Sequence, residues 1–149
     1  MNGQLRLAKA EDGHTVTNSL NEDGAARYPR SIKDIIQDLS KPVNPQRLKT
    51  RRQGGKTLTY CPWYQCVRIL DHYAPGWRYE IRSITEIGES LVMTVRIVIP
   101  CAEGEVYREA SALEPIKGSG FGDCAVNAES GALRRAASKF GLCLSLYDK

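Results

Sequence analysis

The apolar positions of this chain change their spacing several times along its length, and each change marks an element. Ser31 can cap a helix, with Asp34 three residues on. Ile32, Ile35, Ile36 and Leu39 then recur at spacings of three and four, predicting a short helix that Pro42 stops. The stretch from Lys41 to Lys56 is broken by Pro42, Pro45, Gly54 and Gly55 and reads as loop, with a strand starting near Leu58. Pro62 sits where a second helix can begin. Tyr64, Val67 and Leu70 form its expected inner face, and Ala74-Pro75-Gly76 ends it.

From Trp77 the period becomes two. Trp77, Tyr79 and Ile81 face one side and Arg78, Glu80 and Arg82 the other, until Ile84 and Ile87 break the alternation and predict a bulge near Ser83. After a turn at Gly88-Glu89-Ser90, Leu91 to Ile99 alternates and is apolar enough to be a central strand. Pro100 to Gly104 turns the chain, and Glu105 to Leu113 reads as a third strand. Pro115 to Gly122 is a glycine-rich loop. Asp123 caps a last helix, from about Cys124 to Leu144, with Val126, Leu133, Ala137, Phe140 and Leu144 on one side. Gly131, Arg134, Arg135, Ser138 and Lys139 occupy the opposite half. Short connections favour an antiparallel meander. The predicted fold is α+β: a twisted antiparallel β-meander packed against a long C-terminal helix, with an additional N-terminal helical segment. Residues 1–30 are polar and without period, and read as a flexible arm; 31–149 reads as one domain.

Charge changes this picture from a scaffold to a surface. Between Leu39 and Tyr60 lie six cations (Lys41, Arg47, Lys49, Arg51, Arg52 and Lys56) and no anion. No acidic residue lies between Ser130 and Tyr147, so Arg134, Arg135 and Lys139 have no partner within their own helix. The net charge is only +4 in 149 residues, so the clustering, not the total, points to a phosphate-bearing partner. Tyr60, Trp63, Tyr64, Tyr73, Trp77 and Tyr79 flank the basic stretch, and bases stack on such rings.

Other chemistries fare worse. Gly55-Lys56-Thr57 mimics the end of a phosphate-cradling loop, but Thr50 stands where that motif needs glycine. Gly118 to Gly122 reads as a hinge for the last helix. His72 beside Asp71 has no nucleophile signature around it, and Glu103, Glu105 and Glu109 show no metal-ligand spacing, so no catalytic residues and no metal site are expected. The five cysteines contain no C-x-x-C pair and read as buried free thiols in a reducing compartment. No apolar run approaches a membrane span, and no apolar segment opens the chain, so neither membrane nor export is expected. For a prokaryotic or phage source the expected place is cytoplasmic, at the nucleoid.

Gly131-Ala132-Leu133-Arg134-Arg135-Ala136-Ala137-Ser138-Lys139-Phe140-Gly141 resembles the G-L-K-R-A-L-R-S-F-G segment of the Rad52/Rad22 recombination family. Pro45 with Arg51 six residues on, then a glycine-rich turn and a strand bearing Tyr60, is similar to a second stretch of that family, and Gly76-Trp77 to a third. The resemblance runs in matching order over 31–149. It implies a non-catalytic, cofactor-free protein that binds single-stranded DNA and anneals complementary strands in recombination and repair. It also implies a ring-forming homo-oligomer with DNA in an outer basic groove. By position, Arg51, Arg134 and Arg135 would contact the DNA backbone with Tyr60 nearby. Arg52, Lys56 and Lys139 join them on charge alone, and Lys117 is a candidate for an outer site. The family's third basic position on the last helix is Ser138 here. Candidate protein partners are the chain itself, a single-strand-binding protein or a recombinase. Annealing is the safer expectation than recombinase mediation. The alternatives are a monomeric module of the kind that binds double-stranded RNA and, further off, a small nuclease.

Overall fold

Ser31 starts the first helix as its sequence predicts. Its hydroxyl accepts a hydrogen bond from the Asp34 amide at 3.1 Å, and Ile32, Ile35 and Leu39 of α1 (Ile32–Leu39) turn inward. The computed structural model describes residues 20, 22–117 and 123–148, and the backbone of 6–7. Of the expected arm, residues 1–5, 8–19 and 21 lie outside the described residues, as does 118–122 of the glycine-rich loop. Within the arm, Arg6–Leu7 form a short strand, β1, and Arg30 bonds both Asp38 and the Tyr73 carbonyl.

The cationic segment departs from expectation. Lys49–Gln53 is a strand, β2, not a loop. It pairs antiparallel with β3 (Lys56–Tyr60), in a register running from Lys49 opposite Tyr60 to Gln53 opposite Lys56. Gly54 and Gly55 take φ of 59° and 75°, the pair of positive angles that a two-residue hairpin turn with the right twist requires. The prolines lie upstream, where Pro45–Arg47 makes one turn of 3-10 helix, and so leave the ladder intact. Gly55-Lys56-Thr57 therefore belongs to a hairpin and no helix follows it directly, which disposes of the nucleotide-loop reading.

Pro62 does precede α2 (Trp63–Tyr73), but the buried face is Cys66, Ile69 and Leu70. Tyr64 and Val67 are only half-buried. The expected face was drawn through the larger residues, whereas Cys66 packs as a small hydrophobe.

The meander is as predicted. β4 (Arg78–Ile87), β5 (Ser90–Cys101) and β6 (Gly104–Pro115) pair antiparallel in the order β1-β6-β5-β4, with the ladder shifting between Ile81 and Ser83. β5 is central, and Met93, Val95, Ile97, Ile99 and Cys101 are buried beneath α3 (Cys124–Ser138). Asp123 caps α3 by accepting from the Ala125 amide.

The last helix is shorter than expected, and its buried face is different. Gly141 (φ 100°) reverses the chain: its amide bonds the Ser138 carbonyl, and the Leu142 amide reaches back to Ala137. That is a glycine-terminated helix end, and it carries Leu142 back into the core. Leu133, Ala137 and Phe140 are buried as predicted, but Val126 and Leu144 are exposed. The rest of the buried face is small: Ala128, Gly131, Ala132, Ala136 and Ser138, so Gly131 and Ser138 are buried and not on the outer half where they were expected. A Cβ on Gly131 would stand 3.1 Å from the Ala112 Cβ, so glycine lets the helix lie close against β6. Arg108 seals this packing. Its guanidinium is 4.9 Å from the Phe140 ring centroid and donates to the Lys139 carbonyl at the helix's negative end.

Candidate nucleic-acid interface

In an antiparallel hairpin, residues directly opposite share a face. Lys49, Arg51, Leu58 and Tyr60 thus lie on one side, together with Lys56, while Arg52 projects from the other with Thr50, Thr57 and Thr59. The first side meets α3. The Arg51 guanidinium carbon is 5.5 Å from the Tyr60 ring centroid, and that of Arg134 is 5.2 Å from the same centroid. One ring thus joins two cations that lie 83 positions apart in the chain.

Around this contact opens a cavity of about 290 Å³, walled by Arg51, Tyr60, Arg134, Arg135 and Tyr147 among others, with Cys61, Cys66 and Cys143 also lining it. Among the described residues, no carboxylate pairs with Arg51, Arg52, Lys56, Arg134 or Arg135. Partial burial pushes the Tyr147 phenol up, and nearby Arg134 and Arg135 pull it the other way. Anion-stabilising charge is therefore concentrated here.

Four of the eight residues expected at the site come together: Arg51, Tyr60, Arg134 and Arg135. Lys56 lies at the hairpin tip on the same face. Arg52 points from the opposite face. Lys139 lines no part of the cavity: its ammonium donates to the Glu109 carbonyl at 2.6 Å, because its position carries it around the helix towards β6. Lys117 is exposed at the end of β6, beside the loop that lies outside the described residues. Tyr147 and the three cysteines were missed. Tyr147 stands in a short turn, Leu144–Tyr147, that follows the chain reversal and carries no periodic signal. The absence of C-x-x-C spacing hid the thiol cluster. Lys49, whose ammonium is 5.3 Å from the Tyr64 ring centroid, extends the basic side of the hairpin.

The sheet face turned away from α3 carries cations too, but they are paired. Arg78 makes a two-pronged contact to Glu105 at 2.7 and 3.1 Å. Arg96 bonds Glu109 at 2.7 Å while its guanidinium lies 4.0 Å from the Tyr107 ring centroid, and Arg82 reaches Glu80 at 3.4 Å. The glutamates considered for metal chemistry are thus occupied: Glu105 and Glu109 by these arginines, and Glu103 by the Ile32 amide at 3.0 Å. Asp71 accepts from the Trp77 indole at 2.7 Å. Among the described residues, no group of histidines, cysteines and carboxylates is arranged to hold a metal ion.

Residues 31–149 match the Rad52/22 family double-strand break repair protein. The chain is similar to DNA repair RAD52-like protein 1, mitochondrial, of Arabidopsis thaliana, at 32% identity over 135 residues, covering 89% of this chain and 77% of that protein. It is also 32% identical over 125 residues to DNA repair RAD52-like protein 2, chloroplastic, of the same plant, covering 80% of this chain and 62% of that one. These organellar relatives overturn the expectation of a prokaryotic or phage nucleoid protein. Unpaired cations and free thiols suit any reducing compartment that contains DNA, so the residues used for that expectation carried no address. The chain belongs to the Rad52/Rad22 family of DNA repair and recombination proteins.

Proposed function

We propose that this protein holds single-stranded DNA along the Arg51–Tyr60–Arg134–Arg135 groove and promotes pairing of complementary strands, acting as a homo-oligomer and making or breaking no covalent bond. The observation that carries the reading is a cluster of guanidinium groups without carboxylate partners among the described residues, gathered from two distant segments, with Arg51 and Arg134 sharing one aromatic ring. Two single strands repel along their phosphates. Arginines that neutralise one backbone lower that repulsion, and a ring at the groove floor offers one base a surface to stack on. Pairing then becomes a positioned encounter and needs no cofactor. Lys56 and Lys117 would extend the charged track, and residues 31–149 form the annealing domain.

Self-association finds support at the other edge of the sheet. β4 is an edge strand, and Tyr79, Ile81, Ile84 and Ile87 on it are 43–61% exposed. An edge that presents branched apolar side chains is a surface for a second copy, and head-to-tail contact of that edge with a different surface of the next copy would close a ring.

The test is fluorescence anisotropy with oligo-dT and with a duplex of equal length, at stepped salt, followed by annealing of complementary labelled strands. If about five phosphates are neutralised per subunit, the slope of log affinity against log salt is about −3.5 for the single strand. Preference for the duplex, or affinity indifferent to salt, would overturn the assignment. A protein running as a monomer in sizing and light scattering would remove the ring.

A further inference from the structure

The proposed groove has a feature that phosphate binding does not use: three thiols beneath the arginines. The Cys66 sulfur lies 3.5 Å from the Cys61 sulfur, and its thiol also points to the Cys61 carbonyl at 3.8 Å. Cys143, held in the left-handed region at φ 54° by the reversal after α3, brings a third thiol to Cys61. All three line the same cavity as Arg51, Tyr60 and Arg134. Cys61 is the residue between Tyr60 and Pro62, at the mouth of α2, whose N-terminus has no side-chain cap.

We infer that Cys61 and Cys66 are a hydroperoxide-oxidisable thiol pair built into the floor of the groove, and that joining them loosens the hold on single-stranded DNA. The coupling to DNA rests on the function proposed above; the thiol chemistry does not. The surroundings suit Cys61 as the attacking sulfur. Hydrogen bonds from the Cys143 and Cys66 thiols, with Arg134 and Arg47 nearby, draw it well below a thiol's usual pKa, whereas the Cys66 and Cys143 thiols are pushed up.

The steps balance with a hydroperoxide as the two-electron oxidant. The Cys61 thiolate attacks the terminal peroxide oxygen. The S–O bond forms and the O–O bond breaks, and the departing oxygen leaves as water or alcohol with the proton that Cys61 released. The Cys66 sulfur then attacks the Cys61 sulfenic acid. The S–S bond forms, the S–O bond breaks, and the hydroxyl leaves as water with the Cys66 proton. Two thiols are oxidised and one hydroperoxide is reduced. The bond draws the sulfurs together from 3.5 Å and pulls the end of β3 towards α2. The residue next to that bond is Tyr60, the ring that Arg51 and Arg134 share.

The test uses the full chain, reduced or treated with a slight excess of hydrogen peroxide, then blocked with N-ethylmaleimide and mapped by mass spectrometry. Each form is titrated with oligo-dT. A Cys61–Cys66 linkage is expected, with affinity lower by at least about fivefold, the lower end of what one stacked base is worth, and dithiothreitol restores it. Cys66→Ala loses the linkage and the response, while Cys143→Ala keeps the linkage but forms it more slowly, since a hydrogen bond that lowers the Cys61 pKa is gone. Should the buried substitution unfold the chain, the wild-type mapping and titration decide alone. Absence of that linkage, equal affinity of the two forms, or an unchanged response in Cys66→Ala overturns the inference. If the reduced protein binds no oligonucleotide, the proposed function and the DNA coupling both fall, and the mapped linkage still decides the thiol chemistry.

Discussion

Two sets of arginines on this small protein look alike in the sequence and stand in opposite states in the structure. On the outer face of the sheet, Arg78, Arg82 and Arg96 interleave with Glu80, Glu105 and Glu109, and each cation has an anion across the strand or beside it. In the groove between the β2–β3 hairpin and α3, Arg51, Arg134 and Arg135 have no carboxylate among the described residues. The sheet face cancels its own field. The groove projects one, and under the proposed function it is the second that holds the polyanion. What makes a binding surface is thus not the number of cations but how many lack an internal partner. For this reason a net charge of +4 understates the groove.

The sharpest way to break this contrast is to remove charge from each region in turn. Arg134→Ala with Arg135→Ala is expected to lower single-strand affinity about a hundredfold or more at physiological salt and to flatten the salt slope by about 1.4, two contacts' worth. Arg78→Ala should leave binding within about twofold, because its charge is already spent on Glu105. Titration of both variants beside the parent, with sizing to show that assembly persists, checks the pair. Equal losses would erase the distinction.

Phe140→Ala tests the joint that keeps the two regions apart. The ring is fully buried between α3 and the β6 residue Arg108. Its loss should cost about 3–5 kcal/mol, read as a lower urea midpoint with unchanged slope. Tyr60→Ala should weaken oligo-dT binding by about 1–3 kcal/mol while leaving the salt slope near the parent's, since a stacking surface is lost and no phosphate contact is. A slope that falls with it would mean that the ring's main service is to hold the two arginines. The smallest effect runs in reverse. Glu80→Gln with Glu109→Gln strips Arg96 of its carboxylates and should raise affinity about two- to threefold at low salt, by opening a second positive patch. No gain would mean that the sheet face is out of reach of DNA.

Much of the fold was legible from one-dimensional pattern. The Ser31 cap, the switch to period two at Trp77, the bulge near Ser83 and the Asp123 cap each follow from a local rule and stand where the rule puts them. The misses share a different cause. The prolines and glycines of Lys41–Lys56 make Lys49–Gln53 read as loop, yet pairing across Gly54-Gly55 makes it a strand. Apolar residues keep a helical spacing over Cys124–Leu144, yet Gly141 turns the chain and leaves Leu144 exposed. The site was half legible. The family resemblance pointed by position to Arg51, Arg134 and Arg135, charge alone added Lys139 as a candidate, and only three-dimensional packing reveals that Lys139 serves a backbone carbonyl of β6.

By itself the sequence determined which segments could become helix or strand, where each begins, and that its cations come in clusters poor in acid. These depend on neighbours three or four residues away, or on the two faces of a strand. Only the tertiary structure decided which cations stay unpaired and which distant segments share one ring. It also decided which thiols lie within reach of each other. The distance between Arg51 and Arg134, or between Cys61 and Cys143, is set by how the hairpin, α2 and α3 pack together, and packing of elements distant in sequence leaves no periodic trace along the chain.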